Sequence, residues 1–369
     1  MKASFLTENL REKLSFLNHA VSATSQLEIL LYFLIEAKGG KITVSATDLE
    51  IGISSSFAAS IEEEGRVTVP AKTFFDLLNN VNEEKLTLET KGQNLELKGK
   101  KVKMLFQTMP PEDFPKLYED KGEDVAVLKK ETINKEFNKV VFAASQDANR
   151  PALSGILIKK EKGGFLVVAT DGYRLSLKNN VLIKTGAKKE VDQLLLPARI
   201  IRELISLKHS GDVSLFVSGR NNQVIFTQEE TVLVGRLIEA VYPPYEKIIP
   251  SDFGTKAIFD KEEMQRAVKI CSVFARESAN IVKFYLKKNM IIVSANTPST
   301  GENTVEVEAK LTGEENEIAF NAKYLLDLFA NIDEETMVFE MSGPLNAGVF
   351  KIDGDNSFLH LIMPIKVEG

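Results

Sequence analysis

The sequence predicts an α+β chain made of three tandem copies of one domain, and three observations carry that prediction. First, a short motif occurs three times: Val69-Pro-Ala-Lys-Thr-Phe-Phe-Asp-Leu-Leu78, Leu196-Pro-Ala-Arg-Ile-Ile-Arg-Glu-Leu-Ile205 and Phe320-Asn-Ala-Lys-Tyr-Leu-Leu-Asp-Leu-Phe329. Its alanines, Ala71, Ala198 and Ala322, lie 127 (198 − 71) and 124 (322 − 198) residues apart. Each is followed by a base (Lys72, Arg199, Lys323), an acid (Asp76, Glu203, Asp327), a leucine (Leu77, Leu204, Leu328) and a large apolar residue (Leu78, Ile205, Phe329). Second, each copy opens with apolar residues at i, i+4, i+7 and i+11, the stripe of an amphipathic helix. Third, the rest alternates in short apolar runs split by Gly and Asn turns, as antiparallel strands do. A chain of 369 residues suits two or three domains. The repeat decides for three, at 1–124, 125–250 and 251–369.

The first copy carries its helical stripe at Leu10, Leu14, Leu17 and Val21. Leu27 to Ala37 reads as a buried strand, Gly39-Gly40 as a hairpin turn, and Lys41 to Ala46 as an alternating strand. Thr47-Asp48 leads into a strand from Leu49 to Phe57. Glu62-Glu-Glu64 reads as a solvated turn. Arg66 to Val69 runs into the motif helix, and strands follow at 85–88, 95–97 and 102–108. Met109-Pro-Pro-Glu-Asp-Phe-Pro115 cannot continue a ladder, because proline lacks the N–H, so 109–124 is a linker. The second copy repeats the stripe at Ile133, Phe137, Val140 and Ala144, the glycine pair at Gly163-Gly164, and Ala46-Thr-Asp48 as Ala169-Thr-Asp171. Strands at 212–217 and 223–227 flank the Gly219 to Asn222 turn, and Val241 to Pro250 parallels the first linker. In the third copy the stripe is Met264, Val268, Cys271 and Ala275, so Cys271 packs as a small apolar residue. Strands follow at 290–295, 337–341, 349–352 and 358–363, with a hairpin turn at Asp353 to Asn356.

Composition is that of a soluble globular chain, with 44% hydrophobic and 27% charged residues. No apolar run approaches a membrane span, and the polar N-terminus is unlike a signal peptide. One cysteine excludes an intrachain disulfide and a thiolate metal site, which points to a reducing cytoplasm. A net charge of −6 argues against non-specific coating of nucleic acid but leaves room for a local basic surface.

No catalytic constellation emerges. His19, His209 and His360 lie in different repeats without a nucleophile elbow, and each reads as structural. No phosphate-binding loop, dinucleotide fingerprint or complete calcium loop occurs, so neither cofactor nor metal is expected. Lys72, Arg199 and Lys323 sit in the first turn of their helices, where a cation opposes the helix dipole. Two readings stand: a contact to phosphate, or a solvated charge paired with the acid four residues on, such as Asp76 or Glu203. The first-helix polar faces carry Arg11 and Lys13, Lys135 and Lys139, Arg266 and Lys269. Such faces are ordinary singly, and an electrostatic track if all three turn to one side. Thr170-Asp-Gly-Tyr-Arg-Leu175 leaves a strand through a glycine turn. Tyr173 and Leu175 are candidates for exposure, and Met363-Pro-Ile365 is an apolar tail; exposed apolar patches mark partner sites.

Together, three tandem domains, Ala169-Thr-Asp-Gly-Tyr-Arg-Leu-Ser176, Arg150-Pro-Ala-Leu-Ser-Gly155 and Leu361-Ile-Met-Pro-Ile-Lys366 resemble the bacterial sliding clamps, the β subunit of DNA polymerase III. The resemblance covers essentially the whole chain. It implies three clamp-type domains, each with two helices packed on antiparallel sheet, forming half of a closed ring: a head-to-tail homodimer that encircles double-stranded DNA without reading its sequence. It implies no catalysis, but tethering of the replicative DNA polymerase catalytic subunit, and dealings with a clamp loader and other proteins bearing a clamp-binding linear motif. The family's peptide pocket carries over to Leu153, Thr170, Gly172, Tyr173, Arg174, Leu175, Pro243 and Ile248. From the third domain it takes Asn321, Tyr324, Leu345, Ala347, Leu361, Ile362, Met363, Pro364 and Ile365. DNA contact carries over to Lys72, Arg199, Gln146 and Arg150. The sequence departs from the family at Thr24-Ser-Gln26, where a base is common, at Tyr173, often His, and at Lys366, often Arg. An enzyme with a site between repeats is opposed by the missing chemistry, and a scaffold that binds only proteins by the triplicated base.

Overall fold

The computed structural model describes residues 1–366 except Ala23, Ala148, 186–191, His209, Ser278 and 298–300. The structural reading of His209 therefore lies outside the described residues. Six helices are used below: α1 (Thr7–Leu17), α2 (Ala71–Asn80), α3 (130–141), α4 (Ala198–Ser206), α5 (Lys261–Ala275) and α6 (Ala322–Ala330). They are the two helices expected of each copy. The stripes pack as periodicity demands: Leu10, Leu14 and Leu17, then Ile133, Phe137 and Val140, then Met264, Val268 and Cys271 are all buried. Val21 falls beyond the end of α1 and is only half-buried. Helix α3 contains a π-helical stretch, Ile133–Phe137.

Contacts divide the chain into two compact units. One comprises 1–130, 184–190 and 203–237, the other 131–183, 191–202 and 238–369. Sheet continuity explains the division, because strands of successive copies pair edge to edge. In the first unit Thr231–Arg236 of the second copy pairs with Ile51–Ala58 of the first, in register Thr231↔Ser55, within a nine-stranded sheet. A separate five-stranded sheet holds Lys2–Leu6, Ser60–Glu63, Lys85–Lys91, Asn94–Lys98 and Lys103–Gln107. In the second unit Arg174–Val181 pairs with Asp355–Ile362 of the third copy, Ser176 opposite His360, within a twelve-stranded sheet.

Several sequence expectations are corrected. Lys2–Leu6 is a strand that the N-terminal polarity concealed. Glu62 belongs to its edge neighbour Ser60–Glu63 rather than to a turn, and lies 2.6 Å from the Lys2 ammonium. Residues 28–31 form a 3₁₀ turn, so the strand starts at Tyr32 and not Leu27. Leu49 has φ 75° and lies outside the next strand, because the Asp48 carboxylate takes the N–H groups of Glu50 and Ile51, both at 3.0 Å. The long strand Gly301–Gly313 was not expected at all.

Each copy also caps its second helix from its first. Arg11 donates to the Leu78 and Val81 carbonyls at the end of α2. Lys130 donates to the Leu204 and Ile205 carbonyls at the end of α4, and Lys261 to Ile332 O just past α6. A cation there meets unpaired carbonyls and the negative end of the helix dipole. Burial lowers the Lys130 pKa to about 8. Lys139 is buried on Glu334. Arg11 and Lys139 are thus structural, and the expected basic track loses both.

Candidate functional site

The candidate site lies within the second unit and begins with the turn Thr170–Arg174. The Thr170 hydroxyl donates to Arg174 O (2.6 Å) and accepts the Gly172 N–H. Asp171 Oδ1 accepts the N–H groups of Tyr173 (2.9 Å) and Arg174 (3.0 Å). Thr47 and Asp48 build the same turn in the first copy, so the Thr-Asp pair encodes it locally. The second copy adds Gly172 at φ 92°, where a side chain would be strained. The turn leaves Tyr173 59% exposed.

Arg174 fastens this turn to the third copy. Its guanidinium donates to Asp171 (3.1 Å), to Asp327 on α6 (2.7 Å) and to Phe142 O (2.9 Å). It also lies 4.7 Å from the Tyr324 ring centroid. Arg174, Ser176 and Lys178 alternate along one face of their strand. Ser176 donates to Lys139 O, and Lys178 meets Asp355 (2.8 Å) and Glu136 (3.5 Å). Burial works against the Asp355 carboxylate, but its bonds from Lys178 and Ser357 prevail and pull its pKa to about 2. His360 is fully buried beside Phe142, and burial, with Arg174 adding to it, drives its pKa well below the ordinary value. The opposite face of the strand is apolar. Leu175 and Leu177 join Leu157, Val168, Val349 and Leu361 in one core cluster.

Above this floor the tail is stitched down on both sides: Met363 N–H donates to Tyr173 O (2.9 Å) and Ile365 N–H to Ala319 O (2.8 Å). A groove of about 480 Å³ opens beside it, walled by the apolar Ile248, Ile249, Pro250, Leu345, Ala347 and Met363 and by the polar Lys247, Ser251, Asp252, Ser342 and Asn346. Leu345 also borders a smaller hollow of about 150 Å³ with Ile318, Ala319 and Ile365. Leu345 is 64% exposed, Ile248 45% and Met363 40%. Large apolar side chains left in water around one groove suit an extended apolar segment.

The seventeen residues expected at a pocket all fall in this unit but play different parts. Tyr173, Ile248, Leu345 and Met363 are exposed, with Gly172 in the turn. Leu153, Pro243, Tyr324, Pro364 and Ile365 are half-buried. Asn321 caps α6 by accepting the Lys323 N–H. Thr170, Arg174, Leu175, Ala347, Leu361 and Ile362 are buried and form floor and frame. Leu175 was a candidate for exposure; the pleat turns it inward, opposite Leu361. Sequence reasoning missed Ile249 and Pro250 as walls, although both lie in the proline-rich segment. It also missed Asp171 and Asp327 as ligands of Arg174, for which only the repeated acid of the motif gave a signal.

Of the residues expected at DNA, Lys72 and Gln146 are exposed and Arg199 is half-buried in the first turn of α4. Arg150 is held by Asp147 (3.1 Å) and Asp171 O (2.9 Å), which ties it to the Thr170–Arg174 turn. Lys72 belongs to the first unit and the other three to the second. Glu203 and Asp327 do not pair with the bases four residues earlier. Glu203 lies 2.7 Å from His19, and Asp327 binds Arg174. Among the described residues no group of His, Cys, Asp and Glu could hold a metal ion, and no helix is long and apolar enough to cross a membrane.

Comparison with known proteins decides the family. Models of the N-terminal, central and C-terminal domains of the DNA polymerase III beta subunit match residues 1–118, 127–244 and 246–366. The chain belongs to the DNA polymerase III beta subunit family. It consists of three clamp domains of mixed α and β structure, and as a sliding clamp it is a DNA polymerase III processivity factor, not an enzyme. The Synechocystis beta sliding clamp is 27% identical over the full length of both chains, and that of Staphylococcus aureus 25% identical over 94% of each. The crystal structure of the DNA polymerase III beta subunit from Thermotoga maritima superposes with TM-score 0.89 at 25% identity, covering both chains completely. The Bacillus subtilis sliding clamp shares the fold at TM-score 0.90 and 23% identity, again over both full lengths.

Proposed function

We propose that two copies of this chain close head to tail into a ring that encircles duplex DNA, slides along it without reading sequence, and tethers the replicative polymerase through the groove beside Met363. The observation that carries the partner-binding half is that groove, with Ile248, Leu345 and Met363 exposed around it. An extended peptide with aliphatic or aromatic anchors is the occupant its chemistry suits. The clamp loader and other proteins with a short clamp-binding motif would use the same place. Tyr173 and the half-buried residues from Leu153 to Ile365 form its rim, and the six buried residues hold its shape.

Ring closure draws support from exposed apolar side chains in the first and third copies: Leu105 on the edge strand Lys103–Gln107, and Ile270 and Val273 on α5. Lys72, Arg199, Gln146 and Arg150 are the proposed DNA contacts, acting on the phosphate backbone. The three domains span 1–124, 125–250 and 251–369, and the ring works in the cytoplasm. Sedimentation equilibrium tests closure: a species of twice 41.0 kDa is expected. A chain that stays monomeric at micromolar concentration contradicts it.

A further inference from the structure

The acid of the triplicated motif has a function that the structure spells out twice. In the second copy it is Glu203, which meets His19 of the first copy at 2.7 Å. In the third copy it is Asp327, which meets Arg174 of the second at 2.7 Å. In both cases a carboxylate on a motif helix meets a nitrogen-bearing side chain of the preceding copy. The location also agrees. His19 lies just past the end of α1, whose last residue is Leu17. Arg174 is fixed by Phe142 O, just past the end of α3 at Val141. The acid therefore marks the place where a motif helix meets the C-terminal end of the preceding copy's first helix.

The first copy carries the same acid, Asp76. Asp76 is exposed on α2 and makes no ion pair among the described residues. In the third copy, the residue just past the end of α5 is Arg276. It too is exposed and without an ion pair among the described residues. The motif acid closes the two joints between successive copies, whereas Asp76 in the first copy and Arg276 at the C-terminal end of α5 in the third are exposed without an ion pair among the described residues. Asp76 and Asp327 share a further detail: each backbone carbonyl accepts the amide of an asparagine four residues on, Asn80 and Asn331. The two helices thus present their acids on the same local frame.

We propose that Asp76 pairs with Arg276 of a second copy of this chain, making the third kind of joint by the rule that makes the other two. The inference rests on the head-to-tail ring proposed above and adds the pair that sets its register. The exposed Ile270 and Val273 on α5 supply the apolar contact beside it, while the ion pair selects which end meets which.

The test is a charge-swap cycle on the full chain, read as the dimer dissociation constant by sedimentation velocity across a dilution series. Both positions are exposed, so the variants Asp76→Arg and Arg276→Asp fold as the parent does, which circular dichroism checks. Each single reversal sets like charges opposite each other and is expected to weaken the dimer about tenfold or more. The double variant restores the pair, and its dissociation constant returns to within about threefold of the parent, a coupling that independent sites would not show. Single reversals that leave a normal dimer, or a double variant as weak as the sum of the singles, overturn the pairing while the ring stands. A parent chain that never dimerises overturns the ring itself.

Discussion

Replacing Arg174 with Met tests how the groove is held. The substitution keeps the length of the side chain but removes three hydrogen bonds, to Asp171, Asp327 and Phe142 O. Arg174 is 8% exposed and Asp171 13%, so Asp171 is left as an almost buried carboxylate without its cation. Removing one partner of a buried pair costs about 3–5 kcal/mol. Asp327 is 33% exposed and partly recovers its hydration. The lower figure, about 3 kcal/mol, is therefore expected. For a unit of this size that corresponds to roughly 6–12 °C in the melting transition of the second unit. Hydrogen exchange in the strand Arg174–Val181, compared with the first unit, localises the loss. Arg174→Lys keeps the charge but not the fork, and recovers less than half. Affinity for a polymerase-derived peptide falls in step with stability, because the turn carrying Tyr173 is released. A Met variant within about 0.5 kcal/mol of the parent would refute this account of the frame. A Met variant of unchanged stability that no longer binds peptide would make Arg174 a direct contact instead.

Three further expectations follow from single sites. Leu345→Glu and Met363→Ala change exposed walls of the groove, so they should weaken a polymerase-derived peptide about tenfold or more in a polarisation titration without lowering the melting temperature. His360 is buried and its pKa lies below its ordinary 6.5, so the unfolded chain takes up a proton that the folded chain refuses. Stability is therefore intact above about pH 6.5 and falls below it by up to about 1.4 kcal/mol per pH unit. Asp355 adds a second loss between its ordinary 3.8 and about 2, and His360→Leu should flatten the first limb alone, as acid-dependent denaturant midpoints would reveal. Cys271 is fully buried and burial lifts its thiol to about 11, so the folded chain should resist a thiol reagent at pH 8 and react only on unfolding; rapid labelling of the folded chain would contradict its place in the core.

The fold was legible where periodicity or turn chemistry is local. The stripes of α1, α3 and α5 and the glycine-bearing turns at 39–40, 163–164 and 353–354 needed no long-range information. The strand Lys2–Leu6 was not legible, because its neighbours are Ser60–Glu63 and Lys85–Lys91, far away in the chain. Gly301–Gly313 alternates Val305, Val307, Ala309 and Leu311 with charged residues, a period-2 signal that its high charge obscured. At the site, the Thr170–Arg174 turn could be read from its residue types. The resemblance brought its other members together, but it could not separate exposed walls such as Leu345 from buried floor such as Leu361. That separation depends on the pleat and on the pairing of Arg174–Val181 with a strand almost two hundred residues later. The cross-copy partners of Glu203 and Asp327 were equally hidden, since the sequence offered a nearer base for each.

Retention on DNA of defined topology tests the central claim most directly. The chain, loaded by a clamp loader onto nicked circular DNA, is expected to stay bound through a high-salt gel-filtration column and to be lost when one cut linearises the circle, since a ring slides off free ends. Equal retention on circular and linear DNA, or none on either after loading, would contradict encirclement.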